Sequence, residues 1–291
     1  MGVEQKYVRF DWAVKRLLRD KANFGVLEGF VTVLLGEQIK IDEILESESN
    51  QETLEDKFNR VDIKARNSKG EIIIVEVQLT RELHYLERIL FGVSKAITEH
   101  MHLGQGYGSV KKVYSISIVY FDLGKGSDYI YHGTTRFVGM HTKDTLTITA
   151  KEMNSICMKT PEQVFPEYFI IRVNEFNKVA KTPLEEWIDY LKNGHIDDST
   201  TAPGLSEARE KLKLMTMEKK DRQAYERHLC AIAVQEDVLE TAKREGLAEG
   251  RAEGRAEGRR QERIDMARKM REEGLPDDII RRLTGMAEKD F

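Results

Sequence analysis

The sequence has few cysteines and no long hydrophobic run, and each of these absences excludes a class of protein. Its 291 residues include 2 cysteines, Cys157 and Cys230, which are far apart and match no metal-ligand or redox spacing. This usage argues against a disulfide-stapled secreted domain and fits a reducing cytoplasm. The most apolar early run, residues 24–35, is too short to span a bilayer, and no basic-apolar start marks a signal peptide. We therefore expect a cytoplasmic protein without a membrane partner.

An excess of positive charge is also absent, so the chain as a whole carries no electrostatic signature of a nucleic-acid binder. It has 46 Lys and Arg residues against 50 Asp and Glu residues, for a net charge of −4. Any surface that binds DNA must therefore be local. The length allows one sizeable α/β domain and a smaller helical region.

A core strand with a carboxylate inside it is the most informative feature of the sequence. Residues 71–79 are mostly apolar and β-branched, which predicts a strand that is covered on both faces. Glu76 and Gln78 interrupt this pattern. Because side chains alternate along a strand, these two lie on one face, about 7 Å apart.

A β-hairpin is predicted to bring a second carboxylate to Glu76. Residues 61–66 alternate between apolar and polar side chains and are joined to the core strand by a short polar turn. A three-residue loop with Gly70 in the left-handed conformation places Asp62 directly opposite Glu76, with Cβ atoms about 5 Å apart. A loop of two or four residues would put the two carboxylates on opposite faces.

The predicted pair of carboxylates needs a neutralising partner, because two such charges repel unless a proton, a cation or basic side chains compensate them. Mg²⁺ or Mn²⁺ prefers oxygen ligands and would meet that need between Asp62 and Glu76. The alternative is structural: Asp62 pairs with Lys64 or Lys69, and Glu76 pairs with a nearby arginine. The spacing of the residues leaves both alternatives open.

Basic side chains are predicted on two helices of this region. Residues 8–22 form an amphipathic helix with a basic outer side, which is more often solvated than bound to phosphate. Residues 81–103 form a helix directly after the core strand, with Arg81, Arg88 and Lys95 near one side. Such a row suits charge-assisted contacts to the phosphates of DNA, although surface ion pairs would explain each residue about equally well.

The order of these elements resembles the PD-(D/E)xK nuclease core, in which an Asp and a hairpin turn precede Glu-x-Lys or Glu-x-Gln. A further series of blocks resembles, more narrowly, the Rpn family of recombination-promoting nucleases and transposases, over most of the chain. The blocks are Asp11 with Lys15, residues 61–63, residues 74–78, Arg88, Ser94 with Lys95, residues 106–108 and residues 112–116. The resemblance implies an α/β fold with a mixed sheet flanked by helices, followed by a C-terminal helical region.

The resemblance also implies a metal site. Asp62 and Glu76 would hold Mg²⁺, Mn²⁺ or Ca²⁺, together with the carbonyl of Val77 and a helical acid that Glu28 matches by position. The alternative is that Glu28 binds no metal and is favoured at its position by the helix dipole, because it lies near the start of a helix.

Gln78 stands where the nuclease motif usually has lysine, and this departure bears on activity. An amide can orient a water but brings no positive charge to a phosphate. Lys64, predicted on the same face, could supply that charge, and the resembling family accepts Gln at this place. The leading hypothesis is a Mg²⁺-dependent DNA endonuclease that uses these residues, with Arg88 and Lys95 on the phosphates. The rival is a catalytically weak or inactive nuclease-fold protein that binds DNA or assembles, which Gln78 favours.

Four regions are expected along the chain. They are a nuclease-like domain at 1–193, a polar linker at 194–205, a long helical segment at 206–263 and a small helical hairpin at 264–291. The long segment repeats Glu-Gly-x-Ala every four residues from 245 to 260, which costs a helix about 1 kcal/mol per glycine relative to alanine. The repeat suits either a helix that packs on a partner helix, which would make the protein a homo-oligomer, or a flexible spacer.

Overall fold

The computed structural model describes residues 7–45, 62–101, 104–152, 155–213 and 217–287. The chain forms two compact units, residues 1–222 and residues 223–291. The first unit contains all of the described strands. Each unit is described by itself below.

A six-stranded mixed sheet organises the first unit, with the strand order β1-β2-β3-β4-β8-β5. Its strands are β1 (Ile41–Leu45), β2 (Ile63–Asn67), β3 (Ile72–Gln78), β4 (Val113–Val119), β5 (Ile130–Gly133) and β8 (Glu167–Arg172). β3, β4 and β8 run parallel, and the other three strands are antiparallel to their neighbours. β6 (Ile148–Glu152) and β7 (Ser155–Lys159) form a separate two-stranded sheet. The predicted mixed α/β fold is confirmed.

The β2–β3 hairpin has the predicted register. Ile63 pairs with Val75, and the pairing continues to the turn without a bulge. Gly70 closes a three-residue loop with a φ of +77°, a left-handed conformation that glycine adopts without steric cost. Val61, where this strand was predicted to begin, lies outside the described residues.

Helix α3 (Tyr85–Glu99) joins β3 to β4 and covers one face of the sheet. Val93 and Ala96 on this helix pack with Ile72 and Ile74 of β3 in one buried cluster. Parallel neighbours need a crossover connection of this kind. Because side chains alternate along β3, the face under α3 is also the face that carries Glu76.

Four more helices complete the first unit. They are α1 (Phe10–Arg16), α2 (Phe24–Leu35), α4 (Pro183–Asn193) and α5 (Leu205–Lys211). Phe10, Phe30, Trp187 and Tyr190 form a buried aromatic cluster between α1, α2 and α4, with ring centroids 5.2 to 6.2 Å apart. Edge-on aromatic pairs of this kind fix the mutual orientation of the helices that carry them.

The segment at 194–205, which the sequence suggested as a linker, packs against α2. A Cβ on Gly29 would overlap the backbone of Pro203 and Gly204, so the two segments approach as closely as glycine allows. Ala202 and Leu205 are buried there. The boundary between the two compact units instead follows residue 222, after α5.

Strand β1 was not predicted, because the sequence from 39 to 58 is polar and acidic. Its described part pairs with β2, and Glu43 forms an ion pair with Arg66 at 2.5 Å. An edge strand buries fewer side chains than a central one, so its apolar pattern is weak.

The second unit is helical. Helix α6 (Lys219–Glu272) contains the whole four-residue repeat, and α7 (Asp277–Thr284) follows a turn at Gly274. Ala267 and Ile280 are buried, whereas the described repeat is exposed along its length. Among the described helices, none has a stretch that is both long and apolar enough to cross a membrane.

Candidate active site

Asp62 lies one residue before β2, close to Glu76 near the end of β3. Extending the hairpin register by one pair beyond Ile63 brings the two residues together. Asp62 Oδ2 accepts a hydrogen bond of 2.7 Å from the N–H of Val77. Glu76 is 6% exposed and Asp62 is partly buried. Two carboxylates therefore meet at one end of the sheet, on the hairpin.

Burial raises the pKa of both carboxyl groups. The pKa of Glu76 rises to about 7, because burial outweighs the attraction of Arg88 and the charge of Asp62 adds to the rise. Burial also raises the pKa of Asp62, although Lys15 and the N–H of Val77 oppose this rise. The pair thus resists double ionisation, which is the condition that an added cation relieves.

Arg88 of α3 pairs with the buried carboxylate. Its Nη2 donates a hydrogen bond to Glu76 Oε1, and its Nη1 donates one to Glu82 Oε1. The sequence suggested Arg88 as a phosphate contact, but in this structure its guanidinium bridges two carboxylates. The arginine pair that the sequence left open as an alternative is therefore present beside the Asp62–Glu76 pair.

Gln78 is held by its amide nitrogen. Nε2 donates a hydrogen bond of 2.8 Å to Glu82 Oε1 and one of 3.2 Å to the carbonyl of Thr80. Both amide hydrogens thus have acceptors, which leaves the side-chain carbonyl oxygen for another donor. Gln78 is two residues from Glu76 on the same face of β3.

Helix α1 and the turn after it bring two cations to Asp62. Lys15 Nζ lies 3.7 Å from Asp62 Oδ1, and Arg19 Nη2 donates a hydrogen bond of 2.8 Å to the carbonyl of Asp62. Sequence reasoning named Lys15 only as part of a block that resembles the family, did not assign it to the site, and did not single out Arg19. The basic side of the helix at 8–22 was the available signal, but only tertiary packing shows that it faces β2.

Glu28 lies apart from the pair. Its Oε1 accepts a hydrogen bond of 2.8 Å from the N–H of Ile41, and its Oε2 pairs with Lys40 at 2.7 Å. Ile41 is opposite Asn67 at the turn end of β2. Asn67 is five residues from Asp62, which is on the order of 15 Å along the strand. Glu28 thus anchors the start of β1, and the structure does not bring it to the expected metal position.

Three other predicted cations do not contact the pair among the described residues: Lys64, Arg81, which precedes α3 although it was predicted on that helix, and Lys95 on α3. Lys64 is on the predicted face, but its Nζ pairs with Glu99 at 2.6 Å. Arg81 is exposed and Lys95 is half-buried. Within the described part of the chain, neither has a recorded hydrogen bond or ion pair with Asp62 or Glu76.

The hydroxyl of Tyr85 is a further polar group beside Glu76 that sequence reasoning missed. Tyr85 begins α3 and is 2% exposed, and burial, with the charge of Glu76, raises its pKa. Its hydroxyl lies near Ser117, which is opposite Glu76 on β4, but has no hydrogen bond of normal geometry to a described residue. The sequence did not indicate that Tyr85 lies at the site, because a tyrosine at helical spacing is typical of an ordinary core residue.

The donor chemistry fits a divalent cation. Two carboxylates and the backbone carbonyl of Val77 are oxygen donors, and Mg²⁺ usually takes one or two protein carboxylates and completes its shell with water and phosphate oxygens. Among the described residues, no group of three or more acidic, histidine or cysteine side chains forms a fuller cage. The pair of Asp62 and Glu76 therefore supplies two of the oxygen ligands that a divalent cation would need.

Comparison with known proteins gives one match. A family model described as PD-(D/E)XK nuclease family transposase matches residues 8–242, which include the hairpin, the α3 crossover and every described strand. No curated protein and no solved structure matches the chain.

Proposed function

The chain belongs to the PD-(D/E)XK nuclease family transposases, and from this premise we propose that it is a divalent-metal-dependent endonuclease that hydrolyses phosphodiester bonds in DNA. The observation that supports the proposal is the proximity of Asp62, directly before β2, to Glu76 on β3, because that pair supplies the acidic half of the family's motif. We also propose that the protein acts in the cytoplasm and in DNA recombination.

Each residue of the site has a proposed part in hydrolysis. Asp62, Glu76 and the carbonyl of Val77 would hold Mg²⁺ or Mn²⁺, which when bound would polarise the phosphate and lower the pKa of a water. Gln78 presents its carbonyl oxygen, because Glu82 and Thr80 hold its amide nitrogen, and this oxygen can accept a hydrogen bond from the attacking water.

Cations around the pair would position DNA. Arg81 lies in the connection between β3 and α3, and Lys95 lies on α3; neither forms an ion pair among the described residues that phosphate binding would have to break. Such contacts fix the register of the backbone on the protein without reading its sequence. We therefore propose that they bind DNA phosphates on the α3 side of the site.

The test is plasmid nicking in Mg²⁺ or Mn²⁺, with calorimetric titration of the same metal. Asp62→Asn and Glu76→Gln should each abolish nicking and weaken metal binding. Glu87→Gln is the matched control, because this exposed carboxylate on α3 pairs only with the exposed His84 in the described ion pairs. Full nicking by both site variants would contradict the proposal.

A second candidate is a protein that binds DNA without cutting it. Gln78 favours it, because the motif lysine is absent, and so does Arg88, because it already occupies Glu76. This candidate predicts a mobility shift with DNA but no nicking at any divalent metal. No heat should then accompany a titration with Mn²⁺.

We further propose that the protein self-associates through its C-terminal helices. Val234, Val238, Leu239 and Leu247 are exposed on α6, and the repeat bears both acidic and basic columns that a second copy could complement. Light scattering of the full chain, with and without residues 245–260, tests this proposal.

A further inference from the structure

The proposed nuclease site lacks a positive charge directly beside the position of the attacked phosphate. Gln78 occupies the lysine position of the motif, and its neutral amide is turned toward Glu82. Lys64 was the sequence-based substitute, but it is buried and held by Glu99 at 2.6 Å. Arg88 already donates hydrogen bonds to Glu76 and Glu82. Besides the proposed metal, any positive charge at the attacked phosphate therefore comes from another element.

Lys15 is in the right place to supply it. Its Nζ is 3.7 Å from Asp62 Oδ1, which is outside hydrogen-bonding distance but well within electrostatic range. Its charge lowers the pKa of both Asp62 and Glu76 against the effect of burial, so the ammonium group acts on both carboxylates. The geometry and the electrostatics thus agree that Lys15 faces the pair.

The exposure of Lys15 separates it from Lys64 and Arg88, whose side chains are 10% and 27% exposed. Its side chain is 43% exposed, while the residues just before it on α1, Ala13 and Val14, are fully buried. The helix is therefore fixed, and the ammonium group extends from it to the solvent edge of the carboxylates. Arg19, by contrast, donates to the carbonyl of Asp62 and so supports the backbone there.

We propose that Lys15 is the catalytic amine of this site, delivered by α1 in place of the lysine that the strand motif lacks. This inference rests on the proposed function. In the reaction, the oxygen of a water forms a bond to phosphorus and the water gives up one proton to solvent, while the bond from phosphorus to the leaving ester oxygen breaks and that oxygen takes up a proton from solvent. The ammonium group of Lys15 donates a hydrogen bond to a non-bridging oxygen as negative charge develops on it.

The experiment compares Lys15→Met with Arg16→Met in the full chain. Arg16 is the neighbouring exposed cation of α1 and has no recorded contact with the pair, so its variant controls for the loss of one positive charge. Lys15→Met should lower the rate of Mn²⁺-dependent plasmid nicking by about 100-fold or more, as expected for loss of a preorganised donor. Arg16→Met should nick at nearly the wild-type rate.

Two further measurements separate catalysis from structure. Calorimetry at pH 8.5, above the pKa of Glu76, should show that Lys15→Met binds Mn²⁺ as tightly as wild type or more tightly, because a repelling charge is gone. Adding Gln78→Lys to Lys15→Met should restore part of the nicking, because it returns an ammonium group to the motif position. Lys15→Gln, which keeps a polar side chain at this exposed place, repeats the test if the methionine variant does not fold.

The outcomes distinguish this inference from the proposed function. Wild-type nicking with undiminished nicking by Lys15→Met and Lys15→Gln would overturn the role of Lys15 and leave the nuclease proposal intact. Lost Mn²⁺ binding in the folded variants would also overturn it, since Lys15 would then only support Asp62. Absence of nicking by the wild-type protein would overturn the nuclease proposal itself, and the catalytic role of Lys15 with it.

Discussion

Arg88 donates a hydrogen bond from Nη2 to the buried Oε1 of Glu76, so a guanidinium holds the carboxylate that a divalent ion would need. The same guanidinium reaches Glu82 through Nη1. Arg88 thus competes with a metal ion for Glu76, because one carboxylate oxygen cannot face both cations without repulsion between them.

Removing Arg88 should therefore tighten metal binding. We expect Arg88→Gln to bind Mn²⁺ at least tenfold more tightly than wild type, which corresponds to about 1.4 kcal/mol. Isothermal titration calorimetry measures the change. If Arg88→Gln binds Mn²⁺ more weakly than wild type, then Arg88 orients Glu76 for the metal and does not compete with it.

The pKa of Glu76, about 7, makes metal binding depend on pH near neutrality. A proton must leave the carboxyl group before the metal binds, so affinity should fall by about tenfold per pH unit below 7 and level off above it. The pKa of Glu76 in the folded chain is raised above its ordinary value of 4.5, so the fold is more stable when Glu76 is protonated. In the absence of metal, this stabilisation is present at low pH and is lost as the pH rises through 7.

Calorimetry with Mn²⁺ between pH 5.5 and 8.5 checks this dependence. Glu76→Gln should bind the metal weakly and show a flatter profile, because the group that titrates near neutrality is gone. An equally steep profile in that variant would assign the titration to Asp62, whose pKa burial also raises.

The hairpin could be predicted from sequence because its evidence is local. Alternation along two short segments and one glycine at the turn determine the register, and the register determines that Asp62 meets Glu76. The position of Tyr85 beside Glu76 was not predicted, because an aromatic residue of a helix is typical of a core residue and needs no further explanation. The sequence signal was therefore strongest where neighbouring residues in the chain are also neighbours in space.

The remainder of the site could not be predicted, because it depends on how distant elements pack. Lys15 reaches Asp62 only because α1 lies beside β3, and a helical pattern records which side is polar but not what that side faces. The prediction that Glu28 lies at the metal position failed for the same reason. Its helix was predicted correctly, but the strand end that it faces was inferred from family position, and the structure puts it at the other end.

Glu28 should matter for stability and not for metal binding. Glu28→Ala removes the acceptor of the Ile41 N–H and should lower the free energy of unfolding by about 1–2 kcal/mol. Lys40→Ala is the matched control, because it breaks only the exposed ion pair to Glu28 and should cost less stability than Glu28→Ala. Urea unfolding gives both values. A loss of Mn²⁺ affinity in Glu28→Ala alone would restore Glu28 as a metal ligand.

Gly29 should tolerate no side chain, because α2 touches the backbone of Pro203 and Gly204 at that residue. Alanine favours a helix by about 1 kcal/mol over glycine, but the overlap should exceed this gain and give a net loss of roughly 1–3 kcal/mol. Trp187 reports on the same place, since its Nε1 donates a hydrogen bond of 3.0 Å to the Pro203 carbonyl. Its fluorescence during urea unfolding therefore measures the change.

Gly25→Ala provides the control for this prediction, because it lies one helical turn earlier on α2. A Cβ there would meet only the carboxylate end of the Glu207 side chain, which can rotate away, whereas the backbone at Pro203 cannot. Gly25→Ala should therefore stay within about 1 kcal/mol of wild type. Equal stability of the two alanine variants would mean that the 194–205 segment moves freely off α2, as the linker suggested by the sequence would.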